Sequence, residues 1–329
     1  MLAWGLAALF TLVLPGALAP AQAEDYPSRS VTIVSPYAPG GMSSLLGRAI
    51  GARLEQRLGK PFVIENRPGG GTIPGALSVA HAAPDGYTLL IAANATMATN
   101  VTLYRSLPYD PLADFVPLTM AARVPEVLVV NADLPVHSLD DIARLAKATP
   151  GGLTFGSAGL GTPQHIGGEL LKMRLGIEMT HIPYRGIAPA LSDAAGGHIS
   201  LMFTDIPTAL PLIAAGRLRP IGVTVAQRVG TLPDVPPLAE NGMPGFDEAA
   251  WFMIFAPAKT PPNVVDKLDA AMRAALQDPA VREDLNRLGL IAPEPMGIAA
   301  LQKAVREEIS RMADIPRGIG LAGSEQTKG

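Results

Sequence analysis

Apolar runs of strand length alternate with amphipathic stretches of helix length along most of this chain. Residues 31–35 are an apolar run and predict a strand. Over 43–58, Leu45, Leu46, Ala49, Ile50, Leu54 and Leu58 recur at helical spacing, with Ser43 placed to cap the helix. Strand 62–65, helix 75–83 and strand 88–92 follow, the last entered through the turn Pro84-Asp85-Gly86. A second series begins with strand 127–130, helix 140–149 capped by Ser138, strand 154–157 and helix 163–175. It continues with strand 180–182, helix 187–195, strand 199–203, a helix to about 215 and strand 220–225. The last third holds an aromatic stretch at 251–255 and helices over 262–277 and 298–315, and residues 317–329 are expected to fray. This alternation predicts an α/β fold with mixed, mainly parallel sheets and right-handed crossovers.

Two of these strands run straight into glycine turns that open helices. Pro39-Gly40-Gly41 follows strand 31–35, and Gly159-Leu160-Gly161-Thr162 follows strand 154–157. Glycine has no Cβ, so a ligand can approach the backbone closely. The helix beyond begins with unpaired N–H groups and the positive end of its dipole, which together make an anion seat. In open α/β sheets, ligands sit beyond the carboxyl ends of the strands. Residues 39–44, 94–96, 157–162 and 204–205 therefore converge on one cleft if two lobes face each other. The glycine-rich loop 66–72 admits two readings, an anion cradle or a surface turn. Arg185, after Tyr184, is either a bidentate carboxylate clamp or a surface arginine.

Composition narrows the chemistry. The chain has 329 residues, enough for two lobes with real cores. Twenty-six Lys and Arg stand against 29 Asp and Glu, a net charge of −3 with no long run of one sign, which argues against nucleic acid as a partner. There is no cysteine, so thiol catalysis, disulfides and cysteine–metal sites are excluded. The five histidines form neither H-x-x-x-H nor H-E-x-x-H, and no metal site is expected. Gly159-Leu160-Gly161 begins like a dinucleotide fingerprint, but Gln164 holds the place of the third glycine, so no cofactor is expected. Residues 2–14 are almost wholly apolar, and Ala21-Gln22-Ala23 offers a small-x-small cleavage site. Residues 1–23 are therefore expected to be an export signal cleaved near Ala23, although no basic residue precedes the apolar run.

Eight segments in order carry a resemblance. They are the run from Tyr26 to Val34, Pro39-Gly40-Gly41, Val63 to Gly71, Pro84 to Leu89, Leu107 to Pro111, Phe155 to His165, Ile182 to Gly186, and Leu232 to Gly242. Together they resemble the substrate-binding receptors of tripartite tricarboxylate transporters, the Bug-type periplasmic binding proteins, over nearly all of the chain past the signal. The resemblance implies a two-lobed clamshell of the type II periplasmic-binding-protein architecture. Lobe one would be 24–124 plus 248–329, and lobe two 125–247, with hinges near 124 and 247. It implies a receptor rather than an enzyme, a small carboxylate ligand, inner-membrane permease subunits as partners, a periplasmic location and a monomer. Three positions depart from the family pattern. Ser44 stands where the family usually has Asp, Arg185 where it often has Lys, and Thr204-Asp205 where it often has Asp-Asn.

On this reading Pro39, Gly40, Gly41, Ser43 and Ser44 form one jaw, extended by Asn94 and Thr96. Ser157, Gly161, Thr162, His165, Tyr184 and Asp205 form the other. Gly40, Gly41 and Gly161 would present N–H groups, and Ser43, Ser157 and Thr162 hydroxyls. Two alternatives stay open. Ser157, in a turn that resembles a nucleophile elbow, would serve a secreted hydrolase. A sensory subunit docking on a signalling partner would use the same clamshell.

Overall fold

A computed structural model describes residues 26–149, 151–184, 186–318 and 322–323. The expected export signal and Arg185 lie outside the described residues.

Among the described residues nine strands form one hydrogen-bonded series: β1 (Val31–Ser35), β2 (Phe62–Asn66), β3 (Thr88–Ala93), β4 (Phe115–Asn131), β5 (Leu153–Ser157), β6 (Met179–Pro183), β7 (Leu201–Asp205), β8 (Leu218–Val223) and β9 (Ala249–Pro257). Their order is β2-β1-β3-β9-β4-β7-β5-β6, with β8 also on β4. The long strand β4 divides this series. Its residues up to Pro125 pair with β9, and those from Glu126 onward pair with β7 and β8. Pairings β1–β2, β1–β3, β5–β6 and β5–β7 are parallel. The pairings of β4 and β9 are antiparallel, because these two strands carry the chain between the halves. The mixed sheet of the α/β expectation is thus present, with the parallel pairs confined to the β-α-β units.

The helices are α1 (Met42–Leu58), α2 (Ile73–Ala80), α3 (Asn100–Leu103), α4 (Leu139–Ala148), α5 (Pro163–Leu175), α6 (Ile187–Ala195), α7 (Ile206–Ala214), α8 (Pro262–Leu276), α9 (Pro279–Arg287) and α10 (Ile298–Gly318). The period-two side-chain alternation of the strands fills a core on each face of each half. In the first half, Ile33, Leu89 and Ile91 meet Leu46, Ile50 and Leu54 of α1, while Val34, Leu90 and Phe255 meet Val79 of α2 and Leu301 of α10. In the second, Leu128, Phe155 and Phe203 meet Ile142 of α4 and Leu171 of α5, while Val127, Val129 and Met202 meet α6 and α7. Each such fully buried Leu, Ile or Val contributes roughly 1.5–3 kcal/mol. This packing fixes the carboxyl ends of β1 and β5, where the glycine turns sit.

Several local expectations need correction. Ser43 does not cap α1: the helix starts at Met42 with Gly41 as N-cap, so Ser43 falls inside the first turn. Ser138 does cap α4, accepting from Asp141 N at 3.1 Å, while Asp141 Oδ2 accepts from His137 N at 2.9 Å. Helix α9, with Asp278 capping Ala280 N, is an element that periodicity alone passed over. The tail expected to fray is held in part: α10 runs to Gly318, and Gly323 O accepts from Arg105 Nε at 2.8 Å.

Candidate ligand-binding cleft

The turn after β1 leaves its backbone bare. Pro39, Gly40 and Gly41 are exposed. Gly40 adopts φ +86°, which favours glycine, and a Cβ there would meet nothing within 4 Å. A Cβ at Gly41 would have Ala38 O, 3.7 Å away, as its nearest neighbour. No side chain caps α1 and no acidic residue sits in its first turn. In the first turn of this 17-residue helix Ser44 N donates to Gly41 O at 3.1 Å, which leaves the Met42 and Ser43 N–H groups beside the exposed glycines, with the dipole's positive end behind them. The next two serines turn inward. Ser43 Oγ lies 2.8 Å from Ser35 Oγ, and Ser44 Oγ accepts from Asn66 Nδ2 at 2.8 Å. Both are buried, because a helix starting at Met42 puts them over β1 and β2. Ser44 accordingly stands beneath the turn, joined to Asn66 at the end of β2, where the loop to Thr72 begins.

That loop reaches the cleft through hydroxyls. Tyr37 Oη accepts from Ala93 N at 3.2 Å and bonds Thr96 Oγ1 at 3.0 Å. Thr96 Oγ1 meets Thr72 Oγ1 at 2.8 Å, and Thr72 donates to Gly71 O. Thr72 holds φ +65°, a strained conformation for a β-branched residue. Asn100 Nδ2 donates to Gly71 O at 2.6 Å. The Gly71-Thr72 end of loop 66–72 is thus half-buried and tied to this chain of hydroxyls, while Pro68, Gly69 and Gly70 are exposed. Thr96 itself is fully buried as the centre of this chain. Asn94 turns the other way: Nδ2 donates to Glu308 Oε1 of α10 at 3.2 Å. Glu308 pairs with Arg311, which also bridges to Glu248, just before β9. Tyr37 and Asn100 were not singled out by sequence, and Thr72 only as the end of loop 66–72, since their contacts span up to 59 residues.

The turn after β5 is more tightly tied. Ser157 is fully buried, with Oγ 2.7 Å from His181 Nε2 and accepting from Gly159 N at 3.1 Å. Thr162 Oγ1 donates to Gly159 O at 2.7 Å. Gly161 N donates to His165 Nδ1 at 3.0 Å, so this amide is already occupied and does not stand open as the sequence reading expected. Pro163 removes a further donor and Thr162 N donates to Gly159 O at 3.4 Å, so the first-turn amides left over in α5 are those of the buried Gln164 and His165. Tyr184 Oη donates to Asp193 Oδ2 at 2.6 Å, which directs its hydroxyl to α6. Half-buried Asp205 pairs in register with Glu126 across β4 and β7. Burial pushes the Asp205 carboxyl up to about 6. Burial first, and then the Asp205 charge, push the Glu126 carboxyl well above the usual range, although Gln164 donates to it.

The two turns belong to opposite halves that touch. A Cβ at Gly161 would lie 2.6 Å from Leu103 Cδ2 of α3 and 3.8 Å from Thr99 Cγ2. This contact brings the turn after β5 against α3 of the first half. A nucleophilic Ser157 does not fit: its hydroxyl is enclosed and bonded to the loop it belongs to. Among the described residues no cluster of three or more His, Cys, Asp or Glu is placed to hold a metal.

Comparison with known proteins adds to this geometry. The chain is 35% identical to Protein BugT of Bordetella pertussis over 306 residues, 93% of this chain and 94% of that one. Its structure is similar to that of R. palustris Rpa4515 with adipate, at 38% identity and TM-score 0.83, covering 91% of this chain and 99% of the other. It is also similar to MatC from Rhodopseudomonas palustris with bound malate, at 35% identity and TM-score 0.78, covering 88% and 99%. The model of the tripartite tricarboxylate transporter family receptor matches residues 46–321. With a two-part α/β fold, glycine turns at the carboxyl ends of β1 and β5, and most of its length matched, the chain belongs to the tripartite tricarboxylate transporter receptor family, a family of binding proteins rather than enzymes.

Proposed function

We propose that this protein is a periplasmic solute receptor that captures a small carboxylate-bearing molecule between its halves and delivers it intact to a membrane permease. One observation carries the reading: the bare turn at Gly40-Gly41, on the open end of α1, lies in the half opposite the turn around Gly161, and the halves meet at Leu103. A carboxylate at the first turn is stabilised by backbone N–H groups and the helix dipole without a neutralising side chain. Contacts from the Thr162 end of α5 complete the grip. Because only differential affinity moves an open–closed balance, both turns are needed. The solved relatives with adipate and malate support a carboxylate of this size. Lobes of 24–124 plus 248–329 and 125–247 agree with the change of strand partners at Pro125 and Glu126.

A thermal-shift screen over aliphatic and aromatic mono-, di- and tricarboxylates tests this. A ligand that binds only the native state raises Tm with the logarithm of its excess over Kd. At least one small carboxylate should raise Tm by several degrees and then saturate in calorimetry. A flat response across the whole panel would overturn the reading.

A further inference from the structure

Two imidazoles from different elements clamp the two ends of the turn after β5. His165 of α5 and His181 of β6 stack with ring centroids 3.9 Å apart and planes 14° apart, and Phe155 of β5 stacks on His181 at 4.8 Å. His181 Nε2 holds Ser157 at the start of the turn, and His165 Nδ1 holds the Gly161 amide near its end. The two bonds make different demands. A hydroxyl donates or accepts, so Ser157 satisfies His181 in either protonation state. An amide only donates, so His165 must keep the Nδ1 lone pair. A second proton on that ring would set N–H against N–H and open the bond.

His165 is the third residue of α5, after the cap Thr162. A Glu or Gln at that place commonly reaches back to the start of the helix. Here a titratable ring makes the reach, and the residue it holds is the one that packs against Leu103. Among the described residues, the charged groups on the elements around the pair include the Glu308–Arg311 ion pair of α10, which packs on α5. Glu169 and Lys172 lie on α5 and pair with each other at 3.0 Å. Glu126 of β4 meets α5 through Gln164, with Asp205 of β7 beside it in register. Phe155 of β5 is uncharged. Burial, and after it the Lys172 charge, lower the His165 ring to about 4; burial, and after it His165, do the same for His181. Both rings are therefore neutral at pH 7. In an opened turn a solvated His165 ring would titrate near its ordinary 6.5, so acid favours opening.

We propose that His165 is the positioning residue that holds the turn after β5 in its ligand-facing shape against Leu103, and that protonation of its ring releases that turn and weakens carboxylate capture. The second clause rests on the receptor reading above; the first does not.

The test compares the full-length protein with His165→Asn and His165→Leu. Asn offers an amide oxygen near the place of Nδ1 but does not titrate. Hydrogen-exchange protection of the Gly161 amide, corrected for intrinsic exchange, is followed from pH 7.5 to 4.5 without ligand. In the wild type it should fall by at least about tenfold, within the roughly 70-fold that a ring at 6.5 when free and about 4 when held allows between pH 7.5 and 4.5. In His165→Asn the profile should be flat, and in His165→Leu protection should be low at every pH. Adipate titrations over the same range should show a loss of affinity in the wild type beyond that in His165→Asn, ligand protonation being common to both. Constant Gly161 protection in the wild type, or the same fall in His165→Asn, would overturn the proposal. Absence of adipate binding at pH 7.5 would count against the ligand reading and leave the exchange result to decide the role of His165.

Discussion

Leu103 of the first half seats against Gly161 of the second, with no room for a side chain between them: an added Cβ would come within 2.6 Å of Leu103 Cδ2. Gly161 also holds φ +71°, a left-handed conformation that costs a residue with a Cβ about 1 kcal/mol. Gly161→Ala should therefore keep both halves folded but hold them apart. We expect ligand affinity to fall at least about tenfold, which is 1.4 kcal/mol. Calorimetry and small-angle scattering check this; unchanged affinity with an unchanged ligand-induced contraction would argue against closure at this contact.

Gly41 presents the complementary case. Its φ of −76° suits any residue, and a Cβ there would come no nearer than 3.7 Å to the protein. Gly41→Val should leave Tm within a degree or two, yet weaken ligand binding by well over about tenfold, because the branched side chain covers the amides at the start of α1. Intact affinity in calorimetry would place the anion elsewhere.

The buried hydroxyl of Ser157 ties its own loop to His181 and Gly159. Ser157→Ala leaves those partners short of a bond and should destabilise the protein by about 1–3 kcal/mol in urea melts. No ester or amide substrate should be turned over by either form. A turnover in the wild type that the variant loses would revive the hydrolase alternative.

Asp205 gives a pH signature. Its carboxyl titrates at about 6 in the folded protein, against 3.8 unpaired in solvent. The folded state thus keeps a proton that the unfolded chain releases. The stability this supplies is complete below pH 3.8 and is lost as pH rises to about 6. Asp205→Asn removes this loss, so its Tm relative to wild type should climb from pH 4 to 6 and then level off. A difference in Tm that stays constant across that window would contradict burial as the cause.

Much of this architecture was legible because local pattern and tertiary burial agree. Helix α1 shows its apolar stripe, and the two glycine turns mark the ends of β1 and β5. Strand β4 was legible only over 127–130. Pro117 and Pro125 interrupt its first part, and the register slips at two points that keep it paired with β9. The hydroxyl chain from Tyr37 through Thr96 to Thr72 was hidden for another reason: no local pattern reports which hydroxyls meet across 59 or 24 residues. The direction of Ser43 likewise depends on Ser35 across the turn. Sequence marked the bare amides of Gly40-Gly41, but that His165 occupies the amide of Gly161 is a fact of the third dimension.

A crystal structure with the tightest-binding small dicarboxylate from the screen is the decisive observation. One carboxylate should lie within hydrogen-bond reach of the amides at Gly41 and the first turn of α1, with its other contacts from the Thr162 end of α5. Density for the ligand away from both turns, with Gly40-Gly41 solvated, would contradict capture by backbone amides between the two halves.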